Sequence, residues 1–305
     1  MYSSIIDYHS PLAREYTESV RMDYEDGICC VDSASTASES EDSDNQLNTY
    51  DELEIQPEKT IPSCYSTPPT LVEDKEQNYP IIPFVMIAYN NLTFVRNYVN
   101  QLRRFPHRII IFDNASSYPA MHTYYDELEK ELGSKLTIHR FNENGGHNVY
   151  QSKLDLLPTH FILSDPDLQL HPDMPLNVDE IFLQLSKQYK VHKVGAALDL
   201  SDKEEFIECP NYGNRQTIAD FESQYWNHRL SSEPYEIYSG SVDTTFCLVN
   251  TEIHPGSGIR VAGNFTAKHL PWYKDYIKNN VPQEEIDHWT RNNKSSSILT
   301  TCLKL

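Results

Sequence analysis

The sequence predicts an α/β fold, a mostly parallel sheet flanked by helices in a Rossmann-like arrangement. Two observations predict it. From residue 79 onward, short apolar runs of strand type alternate with segments of helical period, and three such steps fit within about sixty residues. The fourth apolar run then ends directly in Asp165-Pro166-Asp167, and in open parallel sheets ligands sit beyond the carboxyl ends of the strands.

The elements follow in order. A first strand is expected over 81–88, with Asn90 or Asn91 capping the helix after it. Leu92, Val95, Val99 and Leu102 recur at helical spacing along that helix, and Pro106 ends it. A second strand falls at 108–112. The next helix carries Met121, Tyr125, Leu128 and Leu132 on one face and stops at Gly133, and 135–139 is a third strand. A short helix is expected over 149–156 and the fourth strand over 161–164. Asn177 and Glu180 form a capping box for a helix that buries Ile181, Leu185 and Tyr189. Strands at 194–198 and 244–249 follow, among segments bearing Tyr225-Trp226 and Arg260 to Tyr273.

Charge divides the chain. Residues 1–78 hold about 18 acids against 4 bases, so most of the formal charge of −20 belongs to an acidic, Ser- and Pro-rich, low-complexity tail expected to be disordered. No basic stripe suits nucleic acid, so no nucleic-acid partner is expected. No apolar run is long enough to cross a bilayer. The six cysteines, Cys29, Cys30, Cys64, Cys209, Cys247 and Cys302, show neither metal-site spacing nor a dense disulfide framework. Free thiols and a cytoplasmic location are the expectation. Sequons at Asn91, Asn114 and Asn264 fall in segments assigned to the active site, which also favours the cytosol; a fourth lies at Asn293.

Four segments in order carry a family resemblance. They are residues 83–96 with Ala88-Tyr89-Asn90, Ile109-Ile110-Ile111-Phe112-Asp113-Asn114-Ala115-Ser116, Asn142-Glu143-Asn144-Gly145-Gly146-His147, and Ser164-Asp165-Pro166-Asp167. Together they resemble the nucleotide-binding half of the GT-A glycosyltransferases. Val242-Asp243-Thr244-Thr245-Phe246, Arg260-Val261-Ala262-Gly263 and His269-Leu270-Pro271-Trp272-Tyr273 are similar to the acceptor half of a family 2-like inverting group found in bacteria and large viruses. The resemblance covers roughly residues 79–290. It implies one domain over 79–305, with a nucleotide-sugar-binding half at 79–175 and an acceptor-binding half at 176–305.

The resemblance also implies roles. The acids of the triplet would hold a divalent cation, Mn²⁺ or Mg²⁺, since hard cations take oxygen ligands and offset charge on a departing diphosphate. Asp165 would face the ribose or metal-bound water, Asp167 would ligate the metal, and His269 matches a third ligand. Ala88, Tyr89 and Asn90 would line the nucleoside, and Asp113 with Asn114 would reach uracil or ribose. Asn144, Gly146 and His147 would approach the donor, a UDP-sugar foremost. Asp243 is the expected general base, with Glu236 as the other candidate. Trp226, Trp272 and Tyr273 offer faces for an acceptor sugar, carried on a glycan, glycolipid or protein. Asn264-Phe265, Lys268 and Asn148 depart from the family pattern and leave less positive charge near the diphosphate.

Two other readings compete. A nucleotidyltransferase making an activated sugar needs a Gly-rich basic loop after its first strand, where this chain has Ala88-Tyr89-Asn90-Asn91. A non-catalytic nucleotide- or sugar-binding protein working through its acidic tail is the second, and retention of Asp165, Asp167, Asp243 and His269 together speaks against it.

Overall fold

A computed structural model describes residues 82–209, 212, 216–292 and 302. The acidic segment over 1–78 lies outside them, as do Cys29, Cys30, Cys64 and Asn293.

Within the described residues the core is a nine-stranded sheet. Its left half is built from β1 (Phe84–Ala88), β2 (Ile109–Asp113), β3 (Leu136–Arg140) and β4 (His160–Ser164). Two strands leave this half of the chain's path: β5 (Leu168–Leu170) pairs elsewhere, and β6 (Lys193–Ala196) enters the right half. The rest are β7 (Arg229–Ser231), β8 (Ile237–Ser239), β9 (Cys247–Asn250) and β10 (Gly258–Val261). The order is β3-β2-β1-β4-β9-β6-β10-β8-β7. Parallel pairing links β3, β2, β1 and β4, and also β6 and β10, whereas β9 and β8 run against their neighbours. The sheet is therefore mixed but mostly parallel in direction, as the pattern predicted. β11 (Ala267–His269) pairs with β5 in a separate two-stranded ribbon.

Alternation along the strands explains the layers. Phe84, Met86 and Ala88 of β1 join Ile109 and Ile111 of β2 in the main core, against α1 (Leu92–Leu102), α2 (Pro119–Leu132) and α3 (Val178–Tyr189). Val85, Ile87, Ile110 and Phe112 point to the other face, which is covered by Val149, Tyr150 and Val242. Both faces of β1 and β2 are buried, so these strands read as unbroken apolar runs. Three short helices complete the described fold: α4 (Ile218–Ser223), α5 (Tyr276–Asn280) and α6 (Gln283–Asn292).

Several local expectations are corrected. Asn91 precedes α1, but its Oδ1 accepts from the Tyr89 amide at 3.1 Å and does not cap the helix. The cap comes from far along the chain: the buried Glu285 carboxylate accepts the Thr93 amide at 3.1 and 3.2 Å and the Thr93 hydroxyl at 2.7 Å. Asn177 does not cap α3 through its side chain either. Asp179 in that first turn is instead buried against His107 Nε2 at 3.0 Å. Residues Val149–Leu156 form 3-10 turns kinked at Lys153 rather than one α-helix. Cys209 and Cys302 are joined in a disulfide with Cα atoms 5.1 Å apart, which overturns the free-thiol reading for those two. Cys247 is free and buried. No described helix is long and apolar enough to cross a membrane.

The chain between β8 and β9 decides where the site forms. In the sheet order β10 and β6 lie between these two strands, so residues 240–246 must cross them. The crossing is close. A Cβ at Gly195 of β6 would stand 2.4 Å from Val242 Cγ1, and one at Gly258 of β10 would stand 3.0 Å from the Gly240 carbonyl oxygen. Only glycine at those two places lets the crossover lie flat on the sheet.

Candidate active site

Asp165 follows β4 at its carboxyl tip. Its amide donates to the Thr244 carbonyl at 2.7 Å, and the Thr244 hydroxyl donates to Asp165 Oδ2. Thr244 and Asp243 end the crossover just before β9, and β9 is hydrogen-bonded to β4. Asp243 therefore adjoins, through Thr244, the residue that bonds Asp165, and it is exposed. Below the triplet, the Tyr98 hydroxyl donates to Ser164 Oγ at 2.6 Å and Ser164 Oγ donates to the Asp165 carbonyl at 2.8 Å. This chain of bonds fixes the strand end from beneath.

Asp167 is reached through the ribbon. The antiparallel register pairs Leu168 with His269, and the Leu270 amide donates to the Asp167 carbonyl at 2.9 Å. His269 Nε2 consequently lies 3.4 Å from Asp167 Oδ2. Asp167 Oδ1 and His269 Nδ1 are buried without a hydrogen-bond partner. Burial raises the Asp165 pKa well above the ordinary carboxylate value, and the charges of Asp167 and Asp243 raise it further. Three carboxylates thus share one strand end with an excess of negative charge and an orphaned oxygen. Among the described residues no three His, Cys, Asp or Glu side chains converge as a complete metal set. The donor set present suits the protein half of a shared site, in which a ligand supplies the remaining oxygens.

The other expected residues divide. Asn114, buried at the end of β2, organises the glycine loop: its Nδ2 donates to Asn144 Oδ1 at 2.7 Å and to the Gly146 carbonyl at 3.0 Å, and its Oδ1 accepts the Gly145 amide at 2.8 Å. Gly146 has φ 71°, the left-handed region that favours glycine. His147 at this loop meets Asn148 Nδ2 at 2.8 Å. Asn90, with φ 55°, uses Oδ1 to accept the Ser117 and Tyr118 amides at 2.7 and 2.9 Å. Its carbonyl accepts Trp289 Nε1 at 2.6 Å, and the Tyr89 hydroxyl reaches the Asn292 carbonyl at 3.2 Å. Ala88, Tyr89 and Asn90 are thus held at the tip of β1 by α6.

Three of the expected residues make contacts of their own. Asp113 is only 1 % exposed, and its two oxygens accept the Tyr125 hydroxyl at 3.1 Å and the Ser116 amide at 3.3 Å. It holds the turn after β2. Trp272 is 3 % exposed, with Phe206 and Tyr212 packed edge-on against it, so it has no open face for a sugar. Tyr273 donates its hydroxyl to Asp202 at 2.8 Å, and Lys268 pairs with the same carboxylate. Trp226, half-buried, packs with Tyr238, Ala197 and Ala262 where β6 and β10 end.

Glu236 precedes β8, at the same edge of the sheet, but β8 is four positions from β4, about 19 Å at ordinary strand spacing. Its carboxylate accepts the Tyr238 hydroxyl and lies 3.8 Å from Arg229. Asp243, next to the Thr244 that bonds Asp165, is the nearer acid.

Sequence reasoning missed the groups behind the crossover. Lys193 Nζ donates to the Val242 carbonyl at 3.1 Å, and Arg260 Nε donates to the Ser241 carbonyl at 2.9 Å. Arg260 is also paired with the buried Glu222, and its guanidinium lies 3.9 Å from the centre of the Tyr225 ring. Burial lifts the Glu222 pKa to about 7 in spite of Arg260. The available signal was a cation inside an apolar strand pattern, as in Gly258-Ile259-Arg260-Val261. A cavity of about 550 Å³ lies elsewhere, on the second sheet face among Pro83, Arg108, Ile110 and His139.

No protein-family model and no curated protein sequence matches the chain. Among solved structures it is similar to GalNAc-T7 with UDP, GalNAc and Mn²⁺, at TM-score 0.44 and 10 % identity, covering 65 % of this chain and 45 % of that one. It is also similar to the mannosyltransferase PcManGT from Pyrobaculum calidifontis in complex with GDP-Man and Mn²⁺, at TM-score 0.42 and 10 % identity, covering 74 % of this chain and 68 % of that one. The chain spans less than half the length of the first.

Proposed function

We propose that this chain is a metal-dependent, inverting glycosyltransferase that moves a sugar from a nucleotide sugar, a UDP-sugar foremost, to a hydroxyl of a glycan, glycolipid or protein acceptor. One observation carries the reading. Asp165 and Asp167 follow a parallel strand at the edge where such sheets bind ligands, and Asp165 is bonded to Thr244, the neighbour of Asp243.

Asp167 and His269, 3.4 Å apart, would hold the cation, Mn²⁺ or Mg²⁺, with Asp165 facing the ribose or metal-bound water. When bound, it offsets the negative charge that gathers on the departing nucleoside diphosphate. The chain's own groups do the rest. Asn114 holds the 144–146 loop, whose backbone can approach the donor. The Tyr98–Ser164 relay and Thr244 keep the triplet from moving. Asp243 is exposed and little engaged, which suits a base that accepts the acceptor hydroxyl's proton as oxygen attacks the anomeric carbon from the side opposite the leaving group. The nucleotidyltransferase reading gains nothing here, since the loop after β1 offers backbone bonds and no cations.

The cytosolic location drawn from free thiols loses that support, because Cys209 and Cys302 are paired and disulfides are rare in reducing compartments. Buried Asn114, 2 % exposed, has no room for a glycan, so its sequon says nothing of compartment.

The test is thermal unfolding with UDP, with and without Mn²⁺. A ligand that binds the native state raises the melting temperature by linkage. A rise that requires both UDP and metal is expected, and no rise with both present would refute the proposal.

A further inference from the structure

We infer that Lys193 and Arg260 are positioning residues for Asp243, clamping the crossover at two successive carbonyls. The inference rests on the proposed role of Asp243 and goes beyond it by naming what holds that acid in place.

The crossover has no ladder of its own. Between Ser239 of β8 and Cys247 of β9 the chain passes over two strands; backbone bonds tie its two ends, Gly240 N to the Gly258 carbonyl at 3.3 Å and Ala196 N to the Phe246 carbonyl at 3.1 Å, while its middle rests on Gly195 and Gly258 through Val242. Van der Waals contact limits how closely the segment approaches but does not fix it along the strand direction. Directed bonds from the sheet must do that. Lys193, at the start of β6, donates to the Val242 carbonyl, and Arg260, in β10, donates to the Ser241 carbonyl. One cation thus comes from each strand being crossed.

Each cation is itself held. Arg260 is 4 % exposed, paired with Glu222 at 2 % exposure, and its guanidinium lies over Tyr225. Lys193 Nζ lies 5.7 Å from the centre of the Tyr150 ring. A buried guanidinium that reaches a carbonyl through charge-assisted bonding is a rigid tether. Electrostatics add a reason for the tether. Asp243 adjoins the Thr244 that bonds Asp165, so acids of like charge are gathered there. Without a clamp the exposed Asp243 segment would swing away from that charge, and Thr244 would leave Asp165.

The test uses Lys193→Met, which keeps the length of the side chain and removes the donor, with Lys193→Arg as the conservative variant and Arg260→Lys as a second. Amide hydrogen exchange at Asp165 reads the clamp without any assay of turnover, because that amide donates to Thr244. Exchange at Asp165 is expected to quicken about tenfold in Lys193→Met, as loss of one hydrogen bond's stabilisation implies, and to return toward wild type in Lys193→Arg. Ile162, whose amide bonds Pro83, should stay protected, which separates local release from loss of fold. In the same variants kcat for sugar transfer should fall about ten- to hundredfold with the donor KM nearly unchanged. Unchanged exchange at Asp165 in both Lys193→Met and Arg260→Lys would overturn the inference. So would equal losses at Asp165 and Ile162. If wild type transfers no sugar, the proposed function fails, and the exchange comparison still decides whether the clamp exists.

Discussion

Replacing Gly195 with alanine tests the crossover that brings Asp243 to the triplet. The new Cβ would fall 2.4 Å from Val242 Cγ1 and 3.0 Å from Cys247 Cβ, well inside the roughly 3.5–4.0 Å of ordinary carbon contact. Val242 is β-branched and 7 % exposed, so it has little rotamer freedom with which to retreat. Alanine in a strand would otherwise gain about 0.5–1 kcal/mol over glycine, against about 1–3 kcal/mol for overpacking. The net expectation is a loss of about 0.5–2 kcal/mol. Val242→Ala alone removes two methyl groups and should cost about 2 kcal/mol. If the contact is the cause, the double variant should be more stable than the sum of the single effects by about 1 kcal/mol or more. Urea unfolding of the four proteins at a common m-value measures this directly. Strict additivity, or a Gly195→Ala protein as stable as wild type, would refute the crossover geometry.

The remaining expectations concern chemistry and capping. Asp167→Ala should abolish the Mn²⁺-dependent rise in melting temperature with UDP, and an undiminished rise removes Asp167 as a ligand. Asp243→Asn should lower transfer by about 10²–10⁴-fold with donor binding retained, while Glu236→Gln changes it little; the reverse ranking in a steady-state assay would exchange the two acids. Because the native Asp165 pKa is raised, the folded chain holds that proton to higher pH than the unfolded chain does. Its contribution to stability is therefore greatest at low pH and is lost as pH rises from the ordinary carboxylate range through the raised value. A cation must displace the proton, so Mn²⁺ affinity should climb with pH, and calorimetry in buffers of different ionisation enthalpy should detect proton release. Glu285→Ala strips α1 of its cap and should cost about 1–3 kcal/mol in chemical unfolding, with Asn91→Ala costing far less.

The sequence by itself determined the left half of the sheet and its helices. β1, β2 and β4 are apolar runs long enough to show, because burial on both faces writes itself into composition, and α1 and α2 begin and end within a residue or two of their pattern. It also placed Asp165 and Asp167, since an acid pair abruptly ending an apolar strand is a local signal. Tertiary structure decided the rest. β5, β7, β8 and β11 are three residues each, too short for any period to register. The cap of α1 comes from Glu285, 192 residues from Thr93, and no local rule sees across that distance. Asp113 and Trp272 carry the residue types of binding groups, yet packing spends them on Tyr125, Ser116, Phe206 and Tyr212. Thr244, with Asp243 beside it, meets Asp165 at the end of a loop that lies close across two strands at Gly195 and Gly258, an approach that exists once the sheet order is set.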